Sequence, residues 1–292
     1  MKEISKSVLQ SIPFICPLDG LPLHTRVQSL NCANHHGFDI SASGYVNLLP
    51  VQFKASLDPG DSKAMVSARR RVLDTGAFEA ISEAVCNRVC THALEIWEEN
   101  FLLIDAGCGE GYYTGRFVSS LRDTFSGISP VVLGVDISKW AIIAASKRYQ
   151  DVGWAVASNK RLPVRNGAAS MITSIFGFET WPAWAQLQNA GQLVVVVDAG
   201  PRHLIELRDI IYPSLNVHEA PTHKAALSSG YSLISDTSVA FQQVVQSAQT
   251  LDDILEMTPH GHKITSAARD AARSLSTLSL TLDVVIRVFR RN

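Results

Sequence analysis

From about residue 79 onward, short apolar runs rich in β-branched residues alternate with stretches whose apolar positions recur every three to four residues. The runs predict strands at 101–106, 131–136, 152–157, 169–176, 192–198, 231–243 and 278–290. The helical period predicts helices near 62–73, 79–97, 112–122, 138–149, 202–211, 248–256 and 264–275. Such alternation points to an α/β fold, a mostly parallel sheet with helices on both faces. Residues 1–60 differ: they show little helical periodicity and many turn formers. The pattern therefore divides the chain into a small module, 1–60, and a larger domain, 61–292.

The chemistry gathers at the predicted strand tips. Phe101–Ile104 runs into Asp105-Ala-Gly-Cys-Gly-Glu-Gly111, and an amphipathic segment follows. Glycines are needed where backbone must approach a ligand and adopt conformations that a Cβ forbids. In a doubly wound sheet this turn lies beyond the carboxyl end of the first strand, where nucleotides bind. Gly107, Gly109 and Gly111 read G-x-G-x-G, not the dinucleotide G-x-G-x-x-G. With Asp105 two residues ahead, the turn resembles motif I of S-adenosylmethionine (SAM) methyltransferases. The next run, Val131–Val135, ends in Asp136, at the tip where ribose hydroxyls are bound; the competing role is a helix cap beside Ser138.

Composition narrows the class. Apolar residues make up 46% of 292, enough for a substantial core, and the net charge of −1 excludes a globally electrostatic nucleic-acid binder. No apolar run reaches membrane-spanning length, and the start lacks a signal-peptide pattern. Five irregularly spaced cysteines argue against a disulfide framework. Together these features predict a cytoplasmic enzyme with reduced thiols.

Two pairs in the N-terminal module have metal-knuckle spacing: Cys16 with Asp19, and Cys32 with His36. His35 is an alternative to His36. The competing reading is a vestigial ribbon without metal, held by Phe14, Ile15, Leu18 and Phe38. Cys86 and Cys90, four residues apart on a predicted helix, read as core.

The whole chain resembles the bacterial large-subunit ribosomal RNA (guanine-N1)-methyltransferases, including their macrolide-resistance relatives. The segments carrying the resemblance begin with Gly44-Tyr-Val-Asn-Leu-Leu-Pro-Val-Gln52, Asp58-Pro-Gly-Asp-Ser62, Ala68-Arg-Arg70 and Leu73-Asp-x-Gly76. After the glycine turn come Tyr112-Tyr-Thr114, Asp136-Ile-Ser-Lys139, Ala145-x-Lys-Arg-Tyr149, Val156-Ala-Ser158 and Arg161-Leu-Pro163. Gly200-Pro-Arg-His203-Leu-x-Glu-Leu207 and Met257-Thr-Pro259 complete the set.

The resemblance implies a seven-stranded class I SAM-methyltransferase (Rossmann-like) sheet with a small zinc-ribbon-like N-terminal module. It implies SAM as cofactor, held by Gly109, Glu110, Phe78 and His203 together with Asp105, Gly107, Gly111 and Asp136, and Ser158 and Leu162 near the adenine. It implies Zn²⁺ on Cys16, Asp19, Cys32 and His36. Phe78 is otherwise helix core, His203 a helix cap and Ser158 a turn former. Arg69, Arg70, Arg71, Lys54, Lys63, Lys160, Arg161 and Arg165 are either phosphate contacts or a solvated face. Trp181 and Trp184 either stack a base or fill core. Asp198, at the tip of the fifth strand, is the leading candidate for a base taking the guanine N1 proton, with Glu179 second.

Three departures from the family pattern stand out. Asp19 replaces a cysteine, Phe78 replaces a tyrosine, and Ile175-Phe-Gly-Phe178 replaces an Ile-Tyr-Ala-Pro-like loop. The partner implied by the resemblance is a ribosomal RNA hairpin; no membrane partner is expected, and a homodimer is left open. The departures leave two alternatives: N-methylation of a small heteroaromatic metabolite, or a non-catalytic SAM-holding RNA-binding factor.

Overall fold

The computed structural model describes residues 2–126, 130–211, 223–258, 266–275 and 277–292. The predicted positions 264 and 265 of the last helix, and the motif residue Pro259, lie outside the described residues.

The larger sheet is built on β5 (Leu102–Ala106), β6 (Val131–Asp136), β7 (Gly153–Val156), β8 (Met171–Ile175) and β9 (Leu193–Ala199), all parallel. The antiparallel strands β10 (Tyr231–Val245) and β11 (Leu278–Arg291) extend it beyond β9. Alternate residues of each parallel strand enter opposite cores. Leu193, Val195 and Val197 join one apolar cluster, while Val194 and Val196 join the other. With both faces covered, these strands read as unbroken apolar runs.

Seven strands were expected, and the structure has eight in this sheet. The order is β10-β11-β9-β8-β5-β6-β7-β4, with β4 (Tyr45–Asn47) pairing parallel to β7 at the far edge. A three-residue strand carries too little pattern to stand out in sequence. The expectation of little helix in residues 1–60 is also corrected, because α1 spans Lys2–Ser11. Its Leu9 and the following Ile12 are buried, with Ile12 against Gly153 of β7. The N-terminal segment is thus joined to the main sheet through α1 and β4. Between them lies a small antiparallel meander of β1 (His24–Arg26), β2 (Ser29–Asn31) and β3 (Gly37–Asp39).

The helices that shape the site are α2 (Lys63–Asp74), α3 (Glu79–Glu95), α4 (Tyr112–Thr124) and α5 (Lys139–Arg148). After β8 comes α6 (Trp181–Leu187), and after β9 comes α7 (Ile205–Ile211). A short α8 (Lys224–Ser228) leads into β10, and α9 (Ala248–Met257) and α10 (Ser266–Ser274) connect β10 to β11. The final strand pair is therefore antiparallel but not a tight hairpin. α6 went unrecognised in sequence because Trp-Pro opens it after an irregular loop. It buries Trp181 and Trp184 completely, among Tyr231 and Phe289, so neither tryptophan is placed to stack a base.

Candidate cofactor and metal sites

The glycine turn bridges β5 and α4. Gly107, Gly109 and Gly111 all have left-handed φ, at 89°, 56° and 85°. A Cβ on Gly111 would lie 2.8 Å from Trp154 and 3.1 Å from Tyr149. The amides of Gly107 and Cys108 donate to the Val135 carbonyl at 2.8 and 3.0 Å, anchoring the turn to the end of β6. A Cβ on Gly107 would touch nothing closer than 3.6 Å, so this side of the turn is bare backbone open to a ligand.

Asp136 sits against that turn. Its Oδ2 accepts from the Gly109 amide at 2.9 Å and its Oδ1 from the Ser138 amide at 2.8 Å. Ser138, not Asp136, caps α5, accepting from the Ala141 amide. This removes the capping role weighed against the ribose role. Burial raises the Asp136 pKa, and its two amide partners oppose the rise. Each carboxylate oxygen keeps a lone pair for a ribose hydroxyl.

Asp105 lies near the end of β5. It is buried beneath the turn, with its oxygens taken by Thr114 and Thr173 at 2.5 and 2.8 Å. Burial pushes its pKa to about 6. It braces the turn from beneath. Glu110 also turns inward: its carboxylate is buried 3.7 Å from Arg148 without a hydrogen bond, and burial raises its pKa.

Phe78 and His203, each expected as a cofactor contact, lie close to one another. Phe78 is buried at the start of α3, with ring centroids 6.4 Å from His203. Phe176 adds a third ring 5.6 Å from the imidazole. His203 Nδ1 accepts from the Asp283 amide of β11 at 3.2 Å. Phe176 and Leu204 both hold positive φ, 52° each, a strain of about 1–3 kcal/mol apiece that clusters at functional sites. Ser158 closes a bridge with Arg161 and accepts from the Lys160 amide, so its turn-forming role is realised; Leu162 beside it is buried.

Asp198 lies near the end of β9 with its carboxylate 2.9 Å from Arg287 of β11. Arg287 is buried and also reaches Asp236 at 3.4 Å. Burial foremost, then the nearby Glu179, pushes Asp198 to about 6, against the pull of Arg287. Glu179 itself accepts from the Trp181 indole. Arg287 was not foreseen: it reads as one cation in a β-branched strand, and its partner is 89 residues away.

The expected phosphate-binding arginines are partly committed elsewhere. Arg69 pairs with Asp61 and donates to the Met257 carbonyl at 3.1 Å. Arg71 holds Asp253 with two bonds of 2.7 and 2.6 Å. Arg70 is exposed beside Asp74. Lys63, Lys160, Arg161 and Arg165 remain exposed, with Arg161 stacked 4.4 Å over Phe53.

The N-terminal knuckles converge. Ligand atoms of Cys16, Asp19, Cys32 and His36 all lie within 4.8 Å of one another. The Cys16 and Cys32 sulfurs are each 3.5 Å from His36 Nδ1, and Cys32 is 3.5 Å from Asp19 Oδ2. Zinc bonds of about 2.0–2.3 Å in a tetrahedron give edges of about 3.5 Å, so the donor set fits Zn²⁺. The Leu21 amide binds Asp19 Oδ1 at 3.0 Å, turning Oδ2 toward the cluster, and holds the carboxylate pKa down at about 2. His36, not His35, joins the cluster; His35 takes a left-handed φ of 64° within the knuckle. Leu18 is exposed, unlike the expected ribbon-core residues Phe14 and Phe38. Cys86 is buried core and Cys90 packs beside it.

Residues 14–57 match the zinc-ribbon family described as RlmA, N-terminal, and residues 104–194 match a methyltransferase domain family. Over 94% of this chain and 96% of the relative, it is 27% identical to Bacillus subtilis YxjB, which carries the name of a 23S rRNA (guanine-N(1)-)-methyltransferase. It is 30% identical to the 23S rRNA (guanine(748)-N(1))-methyltransferase of Streptomyces fradiae, over 67% of this chain and 66% of that protein. The ribbon, the sheet and the full-length likeness agree: this chain belongs to the bacterial large-subunit rRNA (guanine-N1)-methyltransferase family and is a SAM-dependent methyltransferase.

Proposed function

We propose that this enzyme methylates N1 of a guanine in large-subunit ribosomal RNA. The observation that carries the reading is the pairing of two sites in one chain. A metal-knuckle module is joined through β4 to the sheet that bears the glycine turn and Asp136. A SAM cofactor supplies an electrophilic methyl group. The chain's own residues then orient and protect. Main chain at Gly107 and Gly109 lines the cofactor's path, and Asp136 anchors the sugar. Phe78, Phe176 and His203 wall the space beyond β8 and β9. Alignment of the reacting atoms provides much of the rate gain.

Guanine N1 carries a proton at neutral pH, so transfer needs an acceptor for it. Asp198 is our candidate: with a pKa near 6 it is ionised at pH 7, and Arg287 fixes its orientation. Residues 1–60, with the exposed Lys160, Arg161 and Arg165, grip the RNA by shape and charge, and residues 61–292 carry the transfer. Among the described residues no helix is long and apolar enough to cross a membrane. The test is incubation with methyl-labelled SAM and either unmodified large-subunit rRNA or a pool of heteroaromatic metabolites. Label in the RNA supports the reading; label confined to a metabolite overturns it.

A further inference from the structure

Arg69 was read from sequence as one of three surface cations, but it projects onto the glycine turn. A Cβ built on Gly109 would lie 3.4 Å from its Nη1. The guanidinium is held there by Asp61 on one side and the Met257 carbonyl on the other. Asp61 is itself fixed beside the sugar-binding corner, because its carbonyl accepts from the Ser138 hydroxyl at 2.6 Å. The charges of Asp61 and Arg69 are both felt at Asp136, and that of Arg69 at the Tyr113 hydroxyl. The Tyr113 hydroxyl is buried in the first turn of α4 without a hydrogen-bond partner. An opposed ion pair thus lies against bare backbone, next to an unused donor and a helix N-terminus.

We propose that Arg69 and Asp61 form the receptor for the amino-acid end of the cofactor, Arg69 taking the α-carboxylate and Asp61 the α-ammonium. The inference rests on SAM binding at the glycine turn. An α-amino acid zwitterion inserts between a guanidinium and a carboxylate with no net change of charge, and each group exchanges one ionic partner for another. The planar guanidinium matches a carboxylate with two parallel bonds, which a lysine cannot do. The positive end of α4 favours the same carboxylate.

The test uses calorimetry with two probes on the full zinc-loaded chain. S-adenosylhomocysteine carries the amino-acid end; 5′-methylthioadenosine has the same thioether and nucleoside without it. Arg69→Gln weakens S-adenosylhomocysteine by about thirtyfold and leaves methylthioadenosine within about twofold. Arg69→Lys and Asp61→Asn, which preserve the shape of the corner, weaken the first probe alone, by about three- to tenfold. Equal losses for both probes, or no loss for the first, overturn the assignment. Wild type that binds neither probe would instead remove the cofactor reading beneath it.

Discussion

At the N-terminal knuckles the site consists of side chains: two thiols, a carboxylate and an imidazole converge from the turn before β1 and the loop between β2 and β3, strands of three residues each. At the glycine turn the site consists of side chains that are missing, and the surrounding sheet fixes its shape. In the first region the ligand holds the protein in place. In the second the protein holds the ligand, through Asp105 beneath the turn and the Val135 carbonyl beside it. Losing a ligand residue should therefore be ruinous locally in the first region. In the second, damage should depend on whether the altered atom shapes the turn or only touches the cofactor.

The largest effect tests the metal half. Cys32→Ser should reduce zinc from one ion per chain to near none and remove amide-exchange protection across residues 14–40. Structural zinc is worth about 10–16 kcal/mol in zinc-finger peptides, far more than this meander's small core replaces. Retained protection in the metal-free variant would erase the contrast. Next comes Gly111→Ala, which forces a Cβ at left-handed φ against Trp154. Urea unfolding should show a loss of about 3 kcal/mol. Asp136→Asn leaves one oxygen for the two amides of Gly109 and Ser138, so it should cost about 1 kcal/mol of stability, less than Gly111→Ala, while weakening S-adenosylhomocysteine by about 2 kcal/mol, roughly thirtyfold.

The smallest effect concerns Asp198. Its folded pKa of about 6 is above the ordinary value of 3.8, so the protonated form is favoured by folding. Stability from this group is full below pH 4 and is lost as pH rises through 6. Between pH 5 and 7.5 wild type should lose about 1.4 kcal/mol relative to Asp198→Asn, read from paired urea titrations. If Asp198 accepts the N1 proton, turnover should also rise with pH through about 6, and Asp198→Asn should abolish that limb.

The same contrast explains what was readable in the chain. Metal ligands come in local pairs, so Cys16 with Asp19 and Cys32 with His36 announce themselves by spacing; the choice of His36 over His35 depends on one left-handed residue. The central strands were legible because burial on both faces leaves unbroken apolar runs such as Leu193–Val197. α1 was not, since among its residues of described burial only Leu9 is buried, and one apolar position makes no pattern. Nor were the ion pairs: Arg71 with Asp253, and Arg287 with Asp198, join residues that only the folded sheet and helices bring together. The pairing of Arg69 with Asp61 and of Asp105 with Thr114 and Thr173 was hidden for the same reason, because a charge in sequence does not say which way it faces.

The activity is regiochemically defined, transfer to the Watson–Crick edge of a guanine. Nucleoside mass spectrometry of unmodified large-subunit rRNA after incubation with the zinc-loaded enzyme and SAM reads it directly. One new modified nucleoside, 1-methylguanosine, is expected, absent when the Asp136→Asn enzyme is used at low cofactor. A methyl group on another base or on ribose, or RNA unchanged by an enzyme that binds S-adenosylhomocysteine, would contradict it.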